Sequence, residues 1–267
     1  MRLPQAASRL RNDSEQNAIA DPRRIFVKRI SVAMAVYNGA QFLPEQMDSI
    51  LSQLEAGDEV VVSYDKSTDN SWELLCAYAD KDARVKLLEN TNPGVIGNFN
   101  NALSHCTGNY IFISDQDDRW APNKRQRMVE AFAETGADMI IHNAVHTDIA
   151  GKTISKPFFE LFSIRPSDTA LSIFVRPRYS GCTMAFTPEM LRRYLPFPAK
   201  IDGYDIWIAI LSKLYGKVGY VDDILLYHRL HDSNVTTKTS RPLSVKLKTR
   251  VYTAKELWKR RRRERKK

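Results

Sequence analysis

Apolar and polar positions along this chain fall into short blocks whose period switches between strand and helix. ISVAMAV (30–36) is a short apolar run that predicts a buried strand ending at Tyr37-Asn38-Gly39. Leu43, Met47, Ile50, Leu51 and Leu54 then recur at three- and four-residue spacing, as on one face of a helix. EVVVS (59–63) predicts a second strand, and Ser67-Thr68-Asp69-Asn70 offers capping side chains for a helix carrying Trp72, Leu75, Tyr78 and Ala79. A third strand is expected at 85–88, a short helix from about 97 to 105 and a fourth strand, YIFIS, at 110–114. That strand stops at Asp115-Gln116-Asp117-Asp118.

Such alternation implies a mostly parallel sheet with helices on both faces. In open sheets of this kind ligands bind beyond the carboxyl ends of the strands. Tyr37-Asn38, Asp65 and the acidic group at 115–118 each follow a strand directly, so they are expected to meet at one crevice. The second half is less regular. It reads as a strand at 138–146, a loop-rich stretch at 156–178, a strand at 180–186 and a helix opening at Pro188. A helix at 206–214, a strand at 218–227 and an apolar stripe of Leu243, Leu247, Val251, Ala254 and Trp258 complete it.

Charge changes the picture only when it is located. The net +9 resides at the C-terminus, where residues 241–267 hold 13 Lys or Arg against 2 Glu and leave the first 240 residues near neutral at −2. A basic face on the fold itself is not expected, so nucleic acid is not an expected partner. No apolar stretch approaches the ~20 residues of a membrane-spanning helix, and the N-terminus lacks the apolar centre of a secretory signal. Cys76, Cys106 and Cys182 are too few and too scattered for a disulfide framework or a structural zinc site, which suits a reduced cytoplasm.

Three carboxylates within four residues repel one another unless a cation neutralises them. Hard oxygen ligands suit Mg2+ or Mn2+, which bind through one or two carboxylates together with substrate phosphates. Asp117 is thus a metal candidate and Asp115 a donor-binding one; the bland reading of the cluster is a solvated turn, with Asp118 ahead of a helix beginning near Pro122. Asp65 can accept hydrogen bonds from a base or ribose, whereas Thr68 and Asp69 read as caps. Gly94, Gly97 and Asn98 can open a helix toward a phosphate. Asp205 stands at the start of a helix as a candidate general base, His231 as a metal or diphosphate contact and Arg229 as a phosphate fork. His105, His142 and His146 are expected to be structural, and no Ser–His–Asp or Cys–His arrangement supports a nucleophilic hydrolase.

These motifs, in this order, resemble the inverting family 2 glycosyltransferases of the GT-A fold, especially their bacterial rhamnosyltransferase-like branch. The resemblance covers about residues 30–234. It rests on Val-Tyr-Asn-Gly (36–39), Asp65-x-Ser-Thr-Asp, Asn92-x-Gly94, Asn98-Phe-Asn, Asp-Gln-Asp-Asp with Trp120, Gly-Cys-Thr-Met-Ala-Phe (181–186), Tyr-Asp-x-Trp (204–207) and Tyr-x-Arg-x-His-x-x-Asn (227–234). It implies a GT-A-like α/β domain with a mostly parallel mixed sheet. It also implies a nucleotide pocket lined by Tyr37, Asn38, Asp65 and Asn98, with Asp115 near the ribose or diphosphate. Asp117 would be the principal metal ligand, Asp205 the base and His231 a metal or diphosphate contact. One departure stands out: Tyr64-Asp65-Lys66-Ser67 replaces the family's common Asp-Asp-Gly-Ser. Lys66 is strained if that backbone needs a positive φ, and otherwise its ammonium can reach toward the donor.

The expected organisation is a flexible lead-in at 1–28, a nucleotide-sugar half at 29–120, an acceptor half at 121–240 and a basic amphipathic tail at 241–267. The expected partners are a UDP- or dTDP-sugar, a glycan or polyprenyl-linked acceptor, and a membrane surface met by the tail at the inner face of the cytoplasmic membrane. Two other readings compete. A sugar-phosphate nucleotidyltransferase would carry a glycine- and arginine-rich loop after the first strand, which is absent here; Tyr64 and Lys66 would suit a non-catalytic binding protein on a degenerate transferase fold.

Overall fold

The computed structural model describes residues 28–201, 203–232, 234 and 242–264; the lead-in at 1–27, the approach to the tail at 235–241 and its last three residues lie outside the described residues. β1 (Ile30–Val36) is apolar but for Ser31, whose hydroxyl donates to Glu59, because helices cover both its faces. Ile30, Val32, Met34 and Val36 point into one core and Ala33 into the other, the two-residue alternation of a central strand. β2 (Glu59–Tyr64) and β4 (Tyr110–Asp115) flank it in parallel, and β3 (Val85–Glu89) extends the parallel block beyond β2.

The sheet continues past β4 through antiparallel β7 (Met184–Phe186), then β6 (Met139–Thr147), β8 (Val218–Arg229) and β5 (Arg119–Trp120). The full order is β3-β2-β1-β4-β7-β6-β8-β5. β6 and β8 run parallel, with register shifts around Asn143, whose side chain bonds Asp222 at 3.0 Å. The expected mixed, mostly parallel α/β architecture is therefore present, and one sheet passes through both halves.

On one face lie α1 (Leu43–Leu51), α2 (Ser71–Lys81) and α4 (Lys124–Thr135); on the other lie α3 (Val95–Ser104), α7 (Pro188–Tyr194) and α8 (Tyr204–Tyr215). Leu43, Met47 and Ile50 bury the predicted stripe of α1. α3 begins two residues before its expected start because Gly94, at φ 102°, makes the turn. The stretch at 156–178 contains two short helices, α5 (Phe158–Leu161) and α6 (Ala170–Val175), the second closed by a Thr169–Ser172 capping box. The strand expected at 180–186 is a 3-10 turn followed by the three residues of β7.

Asp58 ties this frame together. Its fully buried carboxylate accepts from Ile30 N (2.8 Å), Glu55 N (2.8 Å) and Arg125 Nε (2.6 Å). Asp58→Ala leaves Arg125 without its buried counterion and is expected to lower stability by about 3–5 kcal/mol, read by urea denaturation. A loss below about 1 kcal/mol would show the pair to be dispensable.

Two buried histidines set an acid response. Burial, then Lys124, holds His142 well below the usual imidazole range, and burial, then His228, pushes His146 down to about 4. Unfolded, both take up protons near 6.5, so each contributes stability above that pH which is lost as pH falls toward 4. Through this window the parent is expected to lose melting temperature relative to His146→Gln; parallel curves would contradict it.

α9 (Leu243–Glu264) docks against α6 and α7. Arg260 donates to the carbonyls of Arg193 and Leu195 (both 2.8 Å), Thr253 is buried, and Tyr252 and Leu257 pack on the second core. The stripe read from the sequence faces the opposite way: Leu247, Val251 and Trp258 are 67%, 48% and 56% exposed. No helix among the described residues is long and apolar enough to cross a membrane.

Candidate active site

Parallel pairing of β2, β1 and β4 brings three carboxyl ends side by side, and the segments leaving them open into one cavity of about 710 Å³. Tyr37, Asp65, Asn98, Asp115 and Asp117 line it from the first half of the chain. Arg178, Tyr204, Asp205, His228 and Asn234 line it from the second. The convergence predicted at the strand ends is present for Tyr37, Asp65, Asp115 and Asp117, and Asp205 borders the same cavity.

The loop after β1 is fixed by its neighbours. Gln116 pairs with the Tyr37 backbone in both directions, accepting from N and donating to O at 2.8 Å each. A Cβ on Gly39 would meet Gln116 Oε1 at 2.4 Å, so a larger residue there would displace this pairing. The ring of Tyr37 is left half exposed at the cavity wall. Asn38 adopts φ 48°, a left-handed conformation that Asn tolerates. Its Oδ1 accepts from Thr68 N (2.8 Å) and its N–H donates to Ser67 Oγ (2.9 Å). Asn38 does not line the cavity; contrary to expectation it staples two loops that do.

Asp65 is nearly buried, with Oδ1 accepting from Asn90 Nδ2 (2.6 Å) and Oδ2 from Gly94 N (2.8 Å). Each oxygen keeps a further lone pair on the cavity side. Asn98 donates to Val36 O (3.1 Å), while its buried Oδ1 on the cavity wall has no protein partner. Such an atom is costly unless a ligand donor or water meets it. Lys66 is exposed and is not among the positive-φ residues, so replacement of the family's glycine introduces no strain. Asp69 bonds Ser71 at the start of α2 and also Ala40 N (3.0 Å), and so adds a loop tie to its capping role.

The acidic turn separates into three carboxylates in three environments. Asp115 faces the cavity under Tyr204 Oη (3.5 Å); burial, then Asp118 and Asp117, pushes it up to about 7. Asp117 is raised by burial and by Asp118, and its Oδ2 meets His231 Nε2 (2.8 Å) and Asn234 Nδ2 (3.3 Å). Asp118 points inward and is fully buried. Burial alone would raise it, but His228, with Nδ1 at 2.8 Å from Oδ1, outweighs that and holds it low. Asp118 is not the cap of α4, whose N-cap is Asn123.

Behind Asp118 lies a second cation that sequence patterning does not reveal. Lys124 is buried over the Trp120 ring at 4.4 Å and donates to Cys182 O (3.1 Å), and burial brings it down to about 8. His228 is moved the other way, to about 9, because Asp118 overrides its burial.

Arg229 is a correction. Its Nε donates to Asp117 O (3.2 Å), its Nη1 to Ile149 O (2.9 Å), its Nη2 pairs with Glu45, and the guanidinium lies over Phe42 at 5.1 Å. It stands behind the cavity with its donors committed, and holds the acidic turn rather than a phosphate. His231 stacks on the same Phe42, at 4.5 Å between centroids. Asp205 lies in the first turn of α8, where its Oδ1 accepts from Ile206 N at 2.8 Å, and it borders the cavity beside Tyr204.

Asp115 and Asp117 fit a divalent cation, since both are cavity-facing oxygen donors held above their ordinary range by burial and by Asp118, Asp115 further by Asp117. At His231 an ion would take the place of the proton shared with Asp117. Among the described residues, ligand atoms within 4.8 Å of one another also occur at Asp118, Cys182 and His228. There His228 already neutralises Asp118, and burial holds the Cys182 thiol well above its usual range, so that cluster is satisfied as a charge pair.

Known proteins are similar to this chain in sequence and in fold. The chain is 38% identical over 239 residues to EpsE of Bacillus subtilis, covering 85% of this chain and 81% of that protein. It is 28% identical over 217 residues to an uncharacterized glycosyltransferase of Nostoc sp., covering 77% of this chain and 66% of that protein. Among solved structures, S. aureus TarS 1–349 in complex with UDP-GlcNAc superposes with a TM-score of 0.64 at 19% identity, over 80% of this chain and 62% of that one. The mannosyltransferase PcManGT of Pyrobaculum calidifontis, in complex with GDP-Man and Mn2+, gives 0.59 at 23% identity over 78% and 58%. The chain thus spans less than two thirds of both solved neighbours, whose likeness concerns the fold. Residues 31–195 match the model of glycosyl transferase family 2, and the chain belongs to that family.

Proposed function

We propose that this enzyme transfers a sugar from a nucleoside-diphosphate donor to a hydroxyl of a glycan or polyprenyl-linked acceptor in bacterial surface polysaccharide synthesis, with inversion at the anomeric carbon. Within the family we place it in the rhamnosyltransferase-like branch, with UDP- and dTDP-sugars as first candidates. The observation that carries this reading is the meeting of Asp65, Asp115, Asp117 and Asp205, from three separate segments, around one cavity at the strand ends.

Tyr37, Asp65 and Asn98 bind the nucleoside side of the donor, and Asp115 faces its ribose or diphosphate. Asp117 and His231 would hold Mg2+ or Mn2+, which supplies positive charge against the leaving diphosphate. Asp205 accepts the proton of the acceptor hydroxyl as its oxygen attacks the anomeric carbon. Arg229 and Asn38 act through the turns they brace. Lys66 lies outside the cavity and unstrained, which argues against a degenerate site. The basic tail meets the membrane on which a lipid-linked acceptor resides, at its cytoplasmic face.

A melting screen tests the reading. UDP-, dTDP- and GDP-sugars are added with Mn2+, and at least one is expected to raise the melting temperature, because a ligand of the native state stabilises it by mass action. No shift with any of them would contradict the proposal, and pyrophosphate release from a nucleoside triphosphate and a sugar phosphate would favour the nucleotidyltransferase instead.

A further inference from the structure

Helix α9 has two faces of different character. Arg250, Thr253, Leu257 and Arg260 hold it to the body, and the opposite face is exposed. On that face Leu247, Val251 and Trp258 fall within about 40° of arc at 3.6 residues per turn. Beside them, within about a third of a turn, lie exposed Lys248, Lys255, Lys259 and Arg262. α6 adjoins this surface, since Arg250 donates to the Phe174 and Val175 carbonyls, the latter at 3.1 Å. It adds Leu171 and Val175, one turn apart and 71% and 64% exposed. Among the described residues these are the largest exposures of large apolar side chains apart from Leu247.

We propose that α9 and α6 together form one face that binds an anionic lipid bilayer and sets the cavity mouth against it; this rests on the lipid-linked acceptor reading above. The two components select the occupant. Lys and Arg call for negative charge, whereas the apolar ridge calls for hydrocarbon, and only an anionic bilayer offers both. Nucleic acid lacks the hydrocarbon, and a second copy would set like charges against each other. The placement also has a use: the chain leaving α6 runs through Pro177, Arg178 and Tyr179 directly into the cavity wall. An acceptor held in the bilayer would therefore present its head group at the side of the cavity opposite the nucleoside pocket.

The test uses the full chain and vesicles of phosphatidylcholine with or without phosphatidylglycerol. The parent is expected to float with the anionic vesicles alone. Brominated lipid is expected to quench its tryptophan emission, and Trp258→Phe to remove most of that quenching, because Trp120 and Trp207 are buried and Trp72, on α2, lies on the other face of the sheet. Leu171→Glu with Val175→Glu is expected to lower vesicle partitioning about tenfold while leaving the nucleotide-induced melting shift unchanged. Unchanged flotation of this double variant would remove α6 from the face. Equal flotation with neutral vesicles, an unquenched Trp258, or binding to DNA without flotation would overturn the proposal. The melting shift reports on donor binding separately, so flotation without any shift would strike the transfer reading and a shift without flotation would strike this one.

Discussion

Asp205→Asn is expected to bind the donor as the parent does and to transfer sugar about a thousandfold more slowly, the middle of the range for loss of a general base. The amide keeps the volume of the carboxylate and still offers an Oδ1 to Ile206 N, so the first turn of α8 is retained. What it removes is the ability to take a proton. Donor binding is set by other residues, those after β1, β2 and β4. Steady-state kinetics separates the two, with kcat falling and the donor KM nearly constant. Transfer at the parent's rate would deny Asp205 its role, and a large rise in donor KM would place it in the donor pocket.

Asp117→Ala is expected to do the reverse. Donor affinity in Mn2+ should fall to the value measured in chelator, a loss of at least about tenfold, comparable to losing a metal-site residue. The fold should survive. Asp117 is held above its ordinary range by burial and by Asp118, so its removal relieves repulsion even as His231 and Asn234 lose a partner. Without ligand, its melting temperature is expected to lie within about 2–4 °C of the parent's, the equivalent of roughly 1 kcal/mol. Donor affinity equal to the parent's would exclude Asp117 as the metal residue.

Much of the site was legible because its chemistry follows strands in sequence. An apolar run that stops at an acid predicts a strand end, and parallel order puts such ends together; Asp65, Asp115 and Asp117 follow from that alone. Asp205 was placed by its position at a helix start. The residues that were misread or missed depend on contacts across long sequence separations. Arg229 looks like a phosphate ligand until Glu45, 184 positions away, and the Ile149 carbonyl take up its donors. Lys124 sits in an ordinary amphipathic helix, and nothing in its spacing shows that it is buried behind Asp118. Gln116 has no charge to mark it, yet its reciprocal pairing with Tyr37 fixes the loop after β1.

The fold shows the same division. The first half repeats strand and helix at regular length, so its elements were predicted within a residue or two. The two-residue strand that ends the first half, and the three-residue strand and two short helices of the second, are too brief to show a period. In α9 the periodicity correctly gave a helix and a stripe, but polar contacts decide which face docks. Arg260 and Arg250 bind backbone carbonyls of the body, and the apolar stripe is left facing outward.

The central claim is that carboxylates at neighbouring strand ends bind one nucleoside diphosphate through a shared divalent ion. Calorimetric titration of the nucleoside diphosphate chosen by the melting screen, once with Mn2+ and once with EDTA, addresses it directly. The account predicts saturable binding in Mn2+ that weakens at least about tenfold in EDTA. Equal affinity under both conditions would contradict it.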